Sequence, residues 1–443
     1  MDKDRYFFIN FIMKENFIQS VIILLFGGFI TKLLGLLIKI ILARYLSSNM
    51  LGLYMLILPT FLLCISFSQF GLPIAISKLV AEEKRRSKKI FISIFPVFVI
   101  VHFIMFIIIF FSSKFISVTL LHSPDTYLAI RSISFVILFT SISSFCRSYF
   151  FGKGRMLPHV LSNICEDFIR FILYLIFLPK LSFLSSKYLL LFLILSNIIS
   201  EIFSTFILLL FLPKKVNFSK EDFSIDFYVL KDCLRISIPN ITSSFIGSIT
   251  YFLEPIILMY FLLLSGYSSS FITTEYGVLS GYVIPLLLLP SFFTSAISQA
   301  IFPKLTKCAK NYQFYEFKKI LKISSILSLL LVLPIFILFD LFPSFFLFFI
   351  YHTNKGITYL KILAPVFLFL YLNSIFSIGL EAIGLSKYNF FSTFISSILR
   401  IGFLIGSSFF RIGIYSYLLS LIVSILSNFL FSSYILFQYL KNI

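Results

Sequence analysis

No tryptophan occurs in the chain, and only 12% of its residues are charged. Any aromatic belt at a membrane boundary must therefore be built from its 23 tyrosines and 61 phenylalanines. Cysteine is sparse: Cys64, Cys146, Cys165, Cys233 and Cys308 are scattered without C-x-x-C spacing, and the four histidines are equally isolated. That pattern gives no metal site and no disulfide framework. No P-loop signature is present to suggest ATP hydrolysis. Acidic residues are the scarcer charge, 18 against 37 basic ones. No polar stretch is long enough for a sizeable soluble domain; the longest, 213–235, reads as a loop.

What the chain has is apolar length. Of its 443 residues 59% are hydrophobic, and mean hydropathy is +1.03. A soluble core cannot hide that much apolar surface, whereas a bilayer accepts it. A spanning helix needs about 20 apolar residues. The sequence predicts about twelve: 16–43, 50–76, 90–112, 126–147, 157–178, 188–212, 236–264, 276–302, 323–341, 357–381, 389–409 and 413–438. The opening "MDKDRYFFINFIMKENF" mixes charges with aromatics and leads into an apolar run too long for a signal peptide. Residues 1–15 read as a cytoplasmic segment.

The net charge of +19 is unevenly placed. Alternate connections collect Lys78, Lys84, Arg85 and Arg86, then Arg147, Lys153 and Arg155, then Lys304, Lys307 and Lys310. The other side holds only Arg44, Lys114, Lys180, Lys187, Lys355 and Arg411. Cytoplasmic connections carry the excess of Lys and Arg, so both termini are expected in the cytoplasm of a multi-pass plasma-membrane protein. The same loops suit anionic lipid head groups rather than nucleic acid.

An internal repeat has a period of about 230 residues. "FGLPIAISKLVAEEKRRSKKIF" is echoed by "SAISQAIFPKLTKCAKNYQFYEFKKIL", and "YFFGKGRMLPHVLSNICEDFIRFIL" by "GLEAIGLSKYNFFSTFISSILRIGFL". The expected architecture is all-α and polytopic. Two pseudo-symmetric six-helix lobes, 16–212 and 236–443, surround a central cavity and are joined by a cytoplasmic loop at 213–235. Such repeats place substrate between the lobes.

Charges inside spans cost about 2.5–3.5 kcal/mol each on insertion scales and are functional candidates by default. Glu166 and Arg170, four residues apart on one helix, can pair locally. Arg400 and Glu201 lie deep with no local partner, open to interhelix pairing or cavity lining. Glu254 precedes Pro255, which removes a backbone donor. Lys32 and Lys39 in "GGFITKLLGLLIKIILARYL" project from one face, about 10 Å apart along the helix. They could pair with Glu166, Glu201 or Glu254, or line a hydrated cavity that attracts an anion. Lysine, a hydrated point charge, suits phosphate.

"ITKLLGLLIKIILARYLSSNMLGLYMLILPTF", "FGLPIAISKLVAEE", "FFGKGRMLPHV" and "EYGVLSGYVIPLLLLPSFFTSAISQAIFPKLTK" resemble the stage V sporulation protein B and oligosaccharide flippase group. That group belongs to the multidrug/oligosaccharidyl-lipid/polysaccharide exporter superfamily, which includes the lipid II flippases. The resemblance implies a monomeric, non-enzymatic exporter of a polyprenyl-diphosphate-linked oligosaccharide, with coupling to membrane potential, H+ or Na+ left open. It places Lys32 where lipid II flippases keep a basic residue on the first helix, and Lys39 near further charges. The cavity arginines of their second and eighth helices have no counterpart here, and twelve helices replace fourteen. Two alternatives stand beside the flippase. A cation-coupled multidrug antiporter would use Glu201 and Glu254. A membrane-embedded polysaccharide polymerase would need acids on the outer loops, which carry only Asp125 and Glu275.

Overall fold

In hydrocarbon every backbone N–H and C=O must be satisfied within the protein, and a helix does this within one segment. The computed structural model describes residues 17–82, 87–181, 183–212 and 226–441. Among them there is no strand. The expected N-terminal segment 1–15, the inner-loop residues Lys84, Arg85 and Arg86, and 213–225 of the expected inter-lobe loop lie outside the described residues.

The helices are α1 (Phe17–Tyr45), α2 (Ser48–Gln69), α3 (Leu72–Glu82), α4 (Ser87–Lys114), α5 (Tyr127–Gly152), α6 (Met156–Leu181), α7 (Ser186–Phe211) and α8 (Phe227–Leu264). They continue with α9 (Ser269–Gly277), α10 (Ile284–Leu288), α11 (Ser291–Lys310), α12 (Phe314–Leu341), α13 (Pro343–Tyr351), α14 (Ile357–Ala382), α15 (Ser386–Ser408) and α16 (Tyr415–Lys441). Eleven described segments are long and apolar enough to cross a membrane. The 26-residue α6 stands outside that set and carries Glu166, Asp167 and Arg170. The protein is an all-α polytopic membrane protein.

Two expected spans end sooner than their hydropathy suggests. The run 50–76 breaks at Phe70 and Gly71, both with left-handed backbone (φ 47 and 64). The run 276–302 begins earlier, at Ser269, and breaks at Pro290, whose ring leaves no N–H for a continuing helix. After each break comes a shorter helix, α3 or α11, which buries one side only. In α3, Leu72, Ala75, Ile76 and Val80 are buried while Ile74 is exposed.

The chain divides into two compact units. Unit 1 comprises Met1–Ile41 and Ile57–Ser248, and unit 2 comprises Leu42–Leu56 and Ile249–Ile443. The same packing plan occurs in each. In unit 1, α5 packs on α3, α4 and α7, and α6 packs on α7. In unit 2, α14 packs on α11, α12 and α16, and α15 packs on α16. The cores correspond: Ile76, Val80, Ile94, Phe98 and Phe145 in one, Leu305, Phe317, Leu321, Ile375 and Leu380 in the other. Left-handed backbone positions repeat at a spacing of 230. His122 and His352 both have positive φ, as do Gly154 and Gly384 in the tight turns before α6 and α15.

Serine permits the close packing. In α5 the buried Ser132, Ser134, Ser141, Ser143 and Ser148 each donate to a carbonyl one turn back, so their hydroxyls are satisfied within the helix. Small residues at such interfaces let backbones approach, and dispersion then holds the helices. In unit 2 the approach is tightest at Gly52, where a Cβ would lie 1.9 Å from the Thr273 carbonyl oxygen.

Candidate functional site: charges within the spans

In unit 1, α5, α6 and α7 bring five charged side chains together. Arg147 donates to Glu166 Oε2 at 2.7 Å and to Ser204 Oγ at 2.6 Å, and lies 3.6 Å from Glu201 Oε2. Arg170 donates to the other Glu166 oxygen at 2.5 Å and reaches Asp167 at 3.4 Å. Glu166 is thus gripped by one guanidinium on each oxygen, an arrangement suited to the planar fork of arginine. Glu201 is 5% exposed, and its Oε2 accepts no hydrogen bond among the described residues. The local pairing of Glu166 with Arg170 is present, and Glu201 is met across a helix interface. From the sequence Arg147 ends its helix and counts as an inner-loop charge; in the structure the helix continues to Gly152 and Arg147 meets Glu166 and Glu201.

In unit 2 the arrangement is sparer. Glu254 on α8 is fully buried and accepts from Arg400 Nη2 on α15 at 2.7 Å and from the Tyr417 hydroxyl on α16 at 3.2 Å. The Arg400 guanidinium also sits 6.0 Å over the Tyr417 ring. Arg400 stands 230 positions after Arg170, but Ser396 and Ser397 replace Glu166 and Asp167. Having no acid on its own helix, Arg400 takes one from α8.

The two lysines of α1 are placed differently. At 100° per residue the helix divides into three stripes about a third of a turn apart. Gly27, Leu34, Ile38 and Ile41 are buried. Ile22, Phe26, Phe29 and Leu33 form an exposed apolar stripe suited to lipid. Gly28, Lys32, Gly35 and Lys39 form the third, and a Cβ added at either glycine would meet nothing within 4 Å. Lys32 is exposed and Lys39 half-buried. Among the described residues Lys39 has no ion-pair partner. The three carboxylates that the sequence offers as partners each meet an arginine.

Residues 17–309 match the model of the polysaccharide biosynthesis protein family. The chain belongs to that family. Within the polysaccharide biosynthesis proteins it is 27% identical over 408 residues to stage V sporulation protein B of Bacillus subtilis, covering 88% of this chain and 77% of the relative. It is 27% identical over 367 residues to sporulation protein YkvU of the same organism, covering 80% of each. Among solved structures it resembles an inward-facing multidrug resistance MATE family transporter, with a TM-score of 0.71, 16% identity, and coverage of 93% and 96% of the two chains. It equally resembles the lipid II flippase MurJ in an inward closed conformation, with a TM-score of 0.71, 17% identity, and coverage of 92% and 86%. This polysaccharide biosynthesis protein therefore has the helical fold that those membrane transporters share.

Proposed function

We propose that the protein moves a polyprenyl-diphosphate-linked oligosaccharide, a precursor of a cell-wall or surface polysaccharide, from the inner to the outer leaflet by alternating access of two lobes, 16–212 and 236–443. The observation that carries this reading is the open Gly28–Lys32–Gly35–Lys39 stripe on α1. Two ammonium groups about 10 Å apart on a smooth, glycine-lined face match a diphosphate, which lysine binds as a point charge. The adjacent stripe of Ile22, Phe26, Phe29 and Leu33 is apolar and exposed, as a helix needs if a lipid tail runs beside it.

In this reading Lys32 and Lys39 hold the head group while the polyprenyl chain stays in the bilayer. Outward movement of negative charge down an inside-negative potential is favourable by about 2.3 kcal/mol per charge per 100 mV, so the potential can drive export without nucleotide hydrolysis. Arg400, Glu201 and Glu254 serve as interhelix fasteners within each lobe while Arg170 holds Glu166 on its own helix, and H+ or Na+ coupling passes through these groups only where a pair opens. A cation-coupled multidrug antiporter needs an acid free to take the cation; Glu201 and Glu254 each face an arginine, which favours the flippase.

Reconstitution into proteoliposomes with labelled polyprenyl-diphosphate sugars tests the reading by leaflet accessibility with and without an imposed potential. Protein-dependent movement, faster with a potential that drives anions toward the receiving leaflet, supports it. No movement of lipid-linked sugar, together with proton- or sodium-dependent dye efflux, supports the antiporter instead.

A further inference from the structure

Four connections meet at one end of unit 2. Arg44 donates from Nε and Nη2 to the carbonyls of Ile350 and Phe349, each at 3.0 Å. Lys355 Nζ donates to Ser48 Oγ at 3.3 Å, and the Tyr267 hydroxyl donates to the Arg411 carbonyl at 2.7 Å. These are connections that the charge count places outside. Between them lies a cavity of about 280 Å³, lined by Glu275, Lys355, Thr358, Tyr359 and Tyr415 among others.

The cavity's chemistry is specific. The Tyr359 hydroxyl donates to Glu275 Oε2, which leaves Oε1 without a partner among the described residues. The Tyr359 and Tyr415 rings stand edge to face, 5.8 Å apart. A carboxylate oxygen, an ammonium and a threonine hydroxyl therefore surround a space walled by two phenols. Gly356, in left-handed backbone, presses close enough that a Cβ would meet Val283 at 2.8 Å and Val278, which lines the cavity, at 3.0 Å, so the loop lies tight against the cavity wall.

The duplicated scaffold does not require this chemistry. Positions 230 earlier than Lys355, Thr358, Tyr359 and Tyr415 hold Asp125, Leu128, Ala129 and Ser185 in unit 1. Unit 1 keeps the loop backbone, with His122 matching His352, but has neither tyrosine nor the threonine at these positions; of the four only Ser185 carries a hydroxyl. Polar groups converging on a pocket with aromatic walls mark a ligand site, and their restriction to one copy of a repeat separates them from structural need.

We propose that this pocket binds a single hexose or N-acetylhexosamine ring, with Glu275 Oε1, Lys355 and Thr358 meeting its hydroxyls and Tyr415 covering one face. The inference rests on the flippase reading for its ligand class and makes the pocket an exit-side subsite for the sugar.

Because the chain has no tryptophan, Tyr415→Trp installs a single indole in the pocket wall, which can be excited selectively over the 23 tyrosines of the parent chain. Titration of the purified full-length Y415W protein with N-acetylglucosamine is expected to give a saturable emission change in the millimolar range. Added Glu275→Gln is expected to weaken binding about tenfold, through loss of a charge-assisted hydrogen bond. Tyr359→Phe, which keeps the ring, is a second variant expected to weaken it in the same direction. A linear change equal to that given by glycerol, or an affinity untouched by both variants, overturns the proposal. Titration with a short-chain polyprenyl-diphosphate N-acetylglucosamine separates the sources: tighter saturation than with free sugar assigns the pocket to the lipid-linked head group, and equal saturation assigns it to the sugar alone. Flipping without saturable sugar binding sinks the pocket and leaves the proposed function. Saturable binding without flipping by the reconstituted protein does the reverse.

Discussion

Arg400 on α15 reaches across to Glu254 on α8 at 2.7 Å, whereas Arg170, its counterpart in the first half, pairs with Glu166 on its own helix at 2.5 Å. The repeated arginine thus ties helices together in unit 2 by a single contact with a fully buried acid. Breaking a buried pair from one side leaves an uncompensated charge, at about 3–5 kcal/mol, while replacing both partners with apolar groups is often near neutral. Glu254→Ala is accordingly expected to destabilise the protein far more than the double variant Glu254→Ala/Arg400→Met. Thermal unfolding in detergent of the two single variants and the double variant checks this. Additive losses would show that the pair is not coupled.

Arg147 carries more of unit 1 than its place beside a basic loop suggests, because it meets both Glu166 and Glu201. Arg147→Lys keeps the charge but loses the planar fork, so it is expected to behave much like Arg147→Ala, lowering stability by about 3 kcal/mol or more. Arg170→Lys should be milder, since Glu166 keeps its contact with Arg147. Equal melting temperatures for the two lysine variants would contradict the assignment of Arg147 as the hub.

Composition, hydropathy and the 230-residue echo made the membrane class and the duplicated helices legible, because a bilayer imposes apolar length and a repeat preserves its turns. Arg170, Arg400, Glu201 and Glu254 stood out as charges in apolar runs. Their pairings did not. Charge alone offers Glu254 either Lys32 or Arg400, and only the hydrogen bonds that Arg400 and Tyr417 donate to it show which it meets. Arg147 was hidden by its sequence neighbours, Lys153 and Arg155, which made it look like part of a basic loop. The helix runs five residues further, to Gly152, and carries it inward. The break at Phe70 was equally invisible, since phenylalanine gives no signal for left-handed backbone.

Gly52 has no room for a side chain: a Cβ would lie 1.9 Å from the Thr273 carbonyl oxygen, and Gly277 presses on the same backbone. Backbone cannot swing away as a flexible side chain can, so Gly52→Val is expected to cost at least the upper end of the roughly 1–3 kcal/mol typical of overpacking. Loss of the monodisperse folded species in detergent chromatography is the expected result. A Gly52→Val protein with the parental melting temperature would show that the helices are not in contact there.

Orientation is testable with thiol reagents. Burial pushes the Cys233 thiol up to about 11, so at neutral pH it stays protonated and slow to alkylate. Cys64 and Cys146 are buried as well. In a chain whose native cysteines are replaced, Ser268→Cys is expected to react with an impermeant maleimide added outside intact cells, and Lys307→Cys only after the membrane is opened. The opposite pattern would invert the topology read from basic loops.

The proposed transport turns on the two ammonium groups of α1, and leaflet accessibility of a labelled polyprenyl-diphosphate sugar in proteoliposomes tests them most directly. Lys32→Gln/Lys39→Gln is expected to abolish movement while leaving the folded protein intact by thermal melting, and Lys32→Arg/Lys39→Arg to retain part of it. Movement at the parental rate in the folded double glutamine variant would contradict the role given to this pair.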